Sequence, residues 1–234
     1  MKFHDFSPFY RSSEGIKPKV SGDRLLDNPL VADVQSGASY RFDGSNDRVT
    51  NTVNSVTSSA DVTASAWIKT TKSTGDMMVL GLGNAHSPNG IDWYLRVNEG
   101  VFDPLAYRYS GYSVSLASGV SVADGEWHHL VMVIADRVGD STSYGSKVEF
   151  YVDGVLASSV GPGDSNTTGM RNFKSDAASI VGDLWIGSRI DAGSDFFDGE
   201  IRQVRIHNRA LSAAEVRAAY SGQAVSFEYT GASQ

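Results

Sequence analysis

Cysteine is absent from the 234 residues. That absence excludes a disulfide scaffold, a thiolate zinc site and a cysteine nucleophile together. An excess of basic charge is absent as well: 20 Lys+Arg stand against 27 Asp+Glu, for a net charge of −7. The acidity is spread through the chain and not massed in a tail, which argues against a nucleic-acid partner. No run approaches the roughly 18 apolar residues that cross a bilayer, so no membrane insertion is expected. The first residues, Met1-Lys2-Phe3-His4-Asp5-Phe6-Ser7-Pro8, lack the apolar stretch of an export signal, and a soluble product without a Sec signal of its own is expected.

What is present suffices for a self-supporting core, because a chain of this length buries about 70 to 75% of its unfolded surface. Apolar residues recur at period two or in short runs, punctuated by turn dipeptides, the pattern of many short antiparallel strands. Asp-Gly pairs stand at 43/44, 124/125, 153/154 and 198/199. Lys147 to Val152, then Asp153-Gly154, then Val155 to Val160 reads as a hairpin on a type I′ turn. The register expected is Val148, Phe150 and Val152 opposite Ser159, Ala157 and Val155. Trp127 to Ile134 is apolar on both parities after its histidines and reads as a central strand covered on both faces. Further strands are expected at Ser39 to Phe42, Val62 to Lys69, Met77 to Leu82, Trp93 to Val97, Ser113 to Leu116, Leu184 to Ile186 and Gly199 to His207. One helix is signalled: Ser212-Ala213-Ala214-Glu215 forms a capping box, the helix runs to about Tyr220, and Ser221-Gly222 stops it.

Two stretches depart from this pattern. Residues 1–36 hold four aromatics within the first ten positions (Phe3, Phe6, Phe9, Tyr10) and read as an extended arm for assembly on a neighbour. Residues from Gly161 to about Ser179 form a long polar loop. Residues 37–222 are the remaining domain, and 223–234 a tail.

Several segments, in order, resemble the laminin G-like modules of the concanavalin A-like lectin/glucanase superfamily, related to the pentraxins. They are Tyr40 to Val49 (YRFDGSNDRV), Val62 to Lys69 (VTASAWIK), Gly125 to Val131 (GEWHHLV), Val148 to Gly154 (VEFYVDG), Leu184 to Gly187 (LWIG) and Phe197 to Ser212 (FDGEIRQVRIHNRALS). The resemblance covers roughly residues 38 to 222. It implies an all-β fold, a two-sheet antiparallel jelly-roll sandwich with one short C-terminal helix. A fold of this kind hosts glycan binding, protein binding and assembly, so function has to come from a site.

The glucanases of the superfamily carry paired carboxylates about 5 to 5.5 Å apart on one strand. Here the nearest pair, Glu149 and Asp153, is interrupted by Tyr151, and Asp153 belongs to the turn, so no enzyme is expected. His128 and His129, adjacent on a strand, point to opposite faces and do not converge on an ion. Two oxygen-rich loops, Asp43, Asn46 and Asp47, and Asp191, Asp195 and Asp198, suit calcium, although Asp and Asn also form turns without a metal. No cofactor is otherwise required. Carbohydrate binding calls for flat aromatics beside hydrogen-bonding groups. Trp93, Tyr94, Tyr107, Tyr109 and Tyr112 are the candidates, with Tyr107 and Tyr109 on one parity. Arg202, Arg205 and Arg209 are expected to pair with local carboxylates.

Two functions follow as expectations. The first is a non-catalytic structural protein, homo-oligomeric and attached through its arm, such as a bacteriophage virion component in capsid decoration or on the tail. It would work at the virion surface or outside the cell after lysis. The second is a carbohydrate-binding module, with calcium as a candidate helper and surface glycans as partners.

Overall fold

The structure, a computed structural model, describes residues 10–12, 15–17, 30–33, 39–56, 61–83, 91–108, 112–115, 118–135, 147–160, 180–189, 194–207 and 209–222. In chain order the strands are β1 (Tyr10–Ser12), β2 (Gly15–Lys17), β3 (Leu30–Asp33), β4 (Tyr40–Asp43), β5 (Val49–Val56), β6 (Val62–Lys69), β7 (Asp76–Gly83) and β8 (Ile91–Asn98). They continue as β9 (Val101–Phe102), β10 (Leu105–Arg108), β11 (Tyr112–Ser115), β12 (Trp127–Ala135), β13 (Lys147–Val152), β14 (Val155–Val160), β15 (Ile180–Ile186) and β16 (Asp198–His207). Among the described residues one helix, α1 (Ala213–Tyr220), follows.

The strands form two sheets. The first runs β1-β2-β5-β15-β7-β8-β10-β11, with β9 also on β8; the second runs β14-β13-β12-β6-β16-β3, with β4 also on β16. Among the described residues every strand pairing is antiparallel except β2 with β5. This is the jelly-roll sandwich expected from the sequence.

Alternation places the core between the sheets. From the second sheet, Ala64, Ala66 and Ile68 of β6, Leu130, Met132 and Ile134 of β12, and Phe150 of β13 point inward. From the first come Met77, Val79, Leu95 and Val97. Phe102 and Phe150 meet edge-on across the gap, ring centroids 6.3 Å apart. Each such side chain, once fully buried, stabilises the fold by about 1.5 to 3 kcal/mol.

The strand apolar on both parities is β12, and its position explains the pattern. Its odd-numbered residues Val131 and Val133 lie under Leu211 and under Val216 of α1, on the outer face of the second sheet. The capping box forms as expected: the Ser212 hydroxyl accepts from the Glu215 N–H, and the Glu215 carboxylate accepts from the Ser212 N–H at 2.8 Å.

Three features differ from expectation. The hairpin turn has positive φ at Asp153 (51°) and Gly154 (76°), as a type I′ turn requires, and Val152 faces Val155. A bulge then shifts the register by one, so Phe150 faces Ser158 and Val148 faces Val160, in place of Ala157 and Ser159. Asp198-Gly199 opens β16, paired with β4, in keeping with the strand expected from Gly199 to His207. Strand β5, Val-Thr-Asn-Thr-Val-Asn-Ser-Val, escapes the sequence reading because only Val49 and Val53 share a face, with polar Asn51 between them, and Val56 falls on the other. Finally, residues 1–36 contain three strands tied to this chain's own sheets: β1 pairs with β2, β2 with β5, and β3 with β16. Phe3, Phe6 and Phe9 lie outside the described residues, and Tyr10 begins β1 opposite Lys17.

Candidate functional site: an aromatic and cationic band on the outer face of the second sheet

Because Ala66 and Ile68 enter the core, Trp67 between them stands on the outer face of β6. Its register partners are His129 on β12 and Arg202 on β16. The Trp67 ring stacks on His129, centroids 5.1 Å apart, and on Tyr220 at the end of α1, 5.5 Å apart and 18° from parallel. The Arg202 guanidinium lies 5.3 Å from the Trp67 centroid and 4.0 Å from that of Trp127. Cation–π contacts of this kind contribute about 0.5 to 2 kcal/mol, the more so as water is excluded.

A bulge sets the geometry. Arg202 faces Trp67 and Arg205 faces Ser65, so three steps along β16 match two along β6. Gln203 absorbs the extra residue with φ of 49°. Strict alternation from the buried Ile201 would have turned Arg205 into the core; the bulge keeps both arginines outward and returns Val204 and Ile206 to the interior.

Beyond Tyr220 the band becomes aliphatic. Gly154 sits against the Tyr220 side chain, where an added Cβ would lie 3.3 Å from it. Val155 (68% exposed), Leu156 (49%) and Tyr220 (40%) are the exposed large apolar side chains among the described residues. They cluster at the corner where the β13–β14 turn meets the end of α1. Clustering of this sort marks an interaction surface more than scattered exposure does.

The band also holds unsatisfied polar atoms. The Arg202 Nε is buried with no hydrogen-bond partner among the described residues, as is the His129 Nδ1. Burial is the main cause that pushes the His129 pKa down, to about 4; the Arg205 cation adds to it and the Asp153 carboxylate opposes it. Its ring is therefore neutral near pH 7. Lys69, in register with Trp127 and Glu200, adds a further cation to this end of the sheet.

A family profile described as the concanavalin A-like lectin/glucanases superfamily matches residues 43–217. The chain belongs to that superfamily. Among solved structures, the binding domain of Paraclostridial Mosquitocidal Protein 1 aligns at 14% identity and a TM-score of 0.54, over 93% of this chain and 51% of that one. The botulinum neurotoxin serotype D binding domain aligns at 15% and 0.54, over 79% of this chain and 42% of that one. The botulinum neurotoxin type G receptor binding domain aligns at 15% and 0.51, over 78% and 42%. At such identities the likeness is one of fold, and this chain spans about half, or less, of each of those chains. No curated protein matches it.

Within this member of the superfamily, the residues singled out from sequence separate. Trp93 and Tyr94 are 2% and 1% exposed. This corrects their reading as sugar-stacking groups: β8 is flanked by β7 and β10, so Trp93 fills the core and Tyr94 packs with Met78 and Leu105 on the other face. Tyr107 on β10 is in register with Asp92 and Ser113, and Tyr112 on β11 with Arg108. The side chains of both, and Tyr109 entirely, lie outside the described residues.

The acidic loops are engaged in local structure. The Asp43 carboxylate accepts the Ser45 N–H at 2.9 Å, and the buried Asp47 accepts the Asp43 N–H at 3.2 Å. Asn46 is exposed. Asp195 pairs with Arg189 at 3.7 Å, and Asp198 lies opposite Asp43 in the β4–β16 register. Asp191 lies outside the described residues. Among the described residues no group of three or more His, Asp or Glu is placed to hold a metal ion.

His128 bridges two carboxylates, Asp153 at 2.8 Å through Nδ1 and Asp124 at 3.0 Å through Nε2. Burial disfavours its imidazolium, but the hydrogen bonds to Asp153 and Asp124 outweigh that and raise its pKa. Of the three arginines expected to pair with carboxylates, Arg209 does so with Glu215 at 2.7 Å. Arg202 has no carboxylate partner among the described residues and takes tryptophan rings instead. Sequence reading missed Trp67, Trp127, Arg202 and Tyr220 as a group. They come from three strands and a helix, and only the register of β6 with β12 and β16 unites them.

Proposed function

We propose that this chain is a non-catalytic recognition module that binds glycan through the Trp127–Arg202–Trp67–Tyr220 band. The observation that carries the reading is a half-exposed aromatic and cationic surface at the end of one sheet, with its guanidinium stacked on rings and without a carboxylate partner among the described residues. A sugar offers an apolar ring face and a rim of hydroxyls, and half-exposed indole and phenol rings next to hydrogen-bond donors complement both. The superfamily contains lectins, and one protein of similar fold is a botulinum neurotoxin receptor binding domain; both fit recognition. The carboxylates Glu149 and Asp153 are occupied by Tyr151 and His128 respectively, which fits a non-catalytic role.

The test is retention on a glycan array by the full chain, Trp127→Ala and Tyr220→Ala, with circular dichroism confirming the fold of each. Wild type is expected to bind a restricted set of glycans, with signals falling about tenfold or more in Trp127→Ala. Equal signals for wild type and both variants would remove the band from the function.

A second reading, a structural component displayed on a particle such as a bacteriophage virion, is favoured by one observation. Val155 and Leu156 are exposed on β14, the terminal strand of the second sheet. An apolar sheet edge is a template for contact with another chain. If that reading holds, Leu156→Asp lowers the sedimentation-determined mass of the wild-type chain to that of a monomer. A wild-type chain already monomeric at tens of micromolar would count against it.

A further inference from the structure

We propose that Arg202 is the recognition group for a carboxylate, so that the band takes acidic sugars, those carrying a uronate or sialate-type carboxyl, in preference to neutral ones. The inference rests on the glycan-binding reading and narrows its ligand class.

Three features of Arg202 support it. Its guanidinium is held 4.0 Å from the Trp127 centroid and 5.3 Å from that of Trp67, so its position over the rings is set before any ligand arrives. A pre-oriented guanidinium loses little rotational freedom on binding, and its fork of N–H donors matches a carboxylate in two parallel hydrogen bonds. Next, Arg202 makes no ion pair among the described residues. Arg96 holds Asp103 and Asp76, Arg189 holds Asp195, and Arg209 holds Glu215, whereas Arg48, like Arg202, lies over a tryptophan ring, 5.2 Å from the Trp185 centroid.

The placement also needs a departure from regular structure. Only the Gln203 bulge, in a left-handed conformation that a non-glycine residue seldom adopts, keeps Arg202 and Arg205 on the same outward face. Along β6 and β16, the charged residues nearest to Arg202 in register are Lys69, Arg205 and Glu200, and the Glu200 carboxylate is engaged by the Ser39 hydroxyl. The local field therefore favours an anion over a second cation.

The experiment uses the full chain and paired probes: tri-galacturonate against its methyl ester, and sialyllactose against lactose, each titrated by calorimetry. At least one acidic probe is expected to bind about tenfold or more tightly than its neutral partner, the discrimination typical of a charge-assisted bidentate contact. That preference should vanish in Arg202→Met, which keeps an unbranched chain on the rings but has no charge. It should be only partly restored in Arg202→Lys, which lacks the planar fork, and it should shrink as salt rises from about 0.05 to about 0.5 M. Equal affinity for acidic and neutral partners overturns this inference while leaving glycan binding intact. A preference that survives in Arg202→Met overturns the assignment to Arg202. No binding of any probe, together with a blank glycan array, overturns both readings. Thermal melting of the variants separates these outcomes from misfolding.

Discussion

A methyl group added to Gly199 would lie 2.2 Å from the Lys69 carbonyl oxygen, an atom of the β6 backbone that has nowhere to retreat. Gly199 also sits at φ of 146°, where a side chain is strained. Gly199→Ala is expected to destabilise the fold by roughly 2 to 3 kcal/mol, measured as a shift in urea midpoint at unchanged slope. The residue is legible in the sequence as half of an Asp-Gly pair, but its reason is not, since close approach of another strand leaves no local mark. The histidines give a second prediction at this scale. His129 and His207 are both held at about 4, chiefly by burial, with Arg205 and, for His207, first Arg209 adding to the effect. Between about pH 4 and 6.5 the unfolded chain binds protons that the folded one does not, so their contribution is complete above about 6.5 and is lost as pH falls through about 4. His128 has the opposite sign. Its raised pKa contributes stability that is fully present below about 6.5 and is lost as pH climbs through the folded value. A melting series should show the wild-type Tm falling on the acid side, and His128→Gln should flatten the decline on the neutral-to-alkaline side. An unchanged alkaline limb in His128→Gln would contradict the bridge to Asp153 and Asp124.

At the scale of elements, legibility followed periodicity. The limits of β6 could be read residue for residue, and β12 was recognisable as a doubly covered strand, because each buries apolar side chains at a regular spacing. Helix α1 was legible from its capping box, whose hydrogen bonds are short-range and so written into consecutive residues. Ser212→Ala should cost about 1 kcal/mol in global stability and detach no sheet. Should that variant melt like wild type, the cap is not stabilising α1 against the sheet. Bulges were not legible. The shift between Phe150 and Tyr151 in the hairpin and the left-handed Gln203 in β16 both depend on what the partner strand presents, and neither involves glycine or proline to announce it. The β16 bulge aims Arg202, so the unread feature is also the one that builds the candidate site.

On the scale of the whole molecule, two sheets enclose one principal core, and α1 closes the outer face of the second sheet with a smaller cluster around Val131, Tyr151 and Val216. That helix does not cover the sheet end to end. Tyr220 is its last residue, and past it the sheet presents Trp67, Arg202 and Trp127. The superfamily resemblance supplied the sandwich from sequence. It did not supply the site, because Trp67 and Trp127 belong to its matching framework segments, whereas Trp93 and Tyr94 had the look of ligand contacts. Burial reverses part of that assignment: an interior strand such as β8 hides both parities, whereas Trp67 near the end of β6 and Trp127 at the start of β12 stay partly exposed, Trp67 against Tyr220, the last residue of α1. Recognition of glycan by this band is tested most directly by a crystal structure of the chain with the tightest-binding array glycan bound. Sugar density is expected against Trp127, with an acceptor oxygen within hydrogen-bond distance of the Arg202 guanidinium. Density instead on the outer face of the first sheet or at the Asp43 loop, with Trp127 and Arg202 bare, would contradict it.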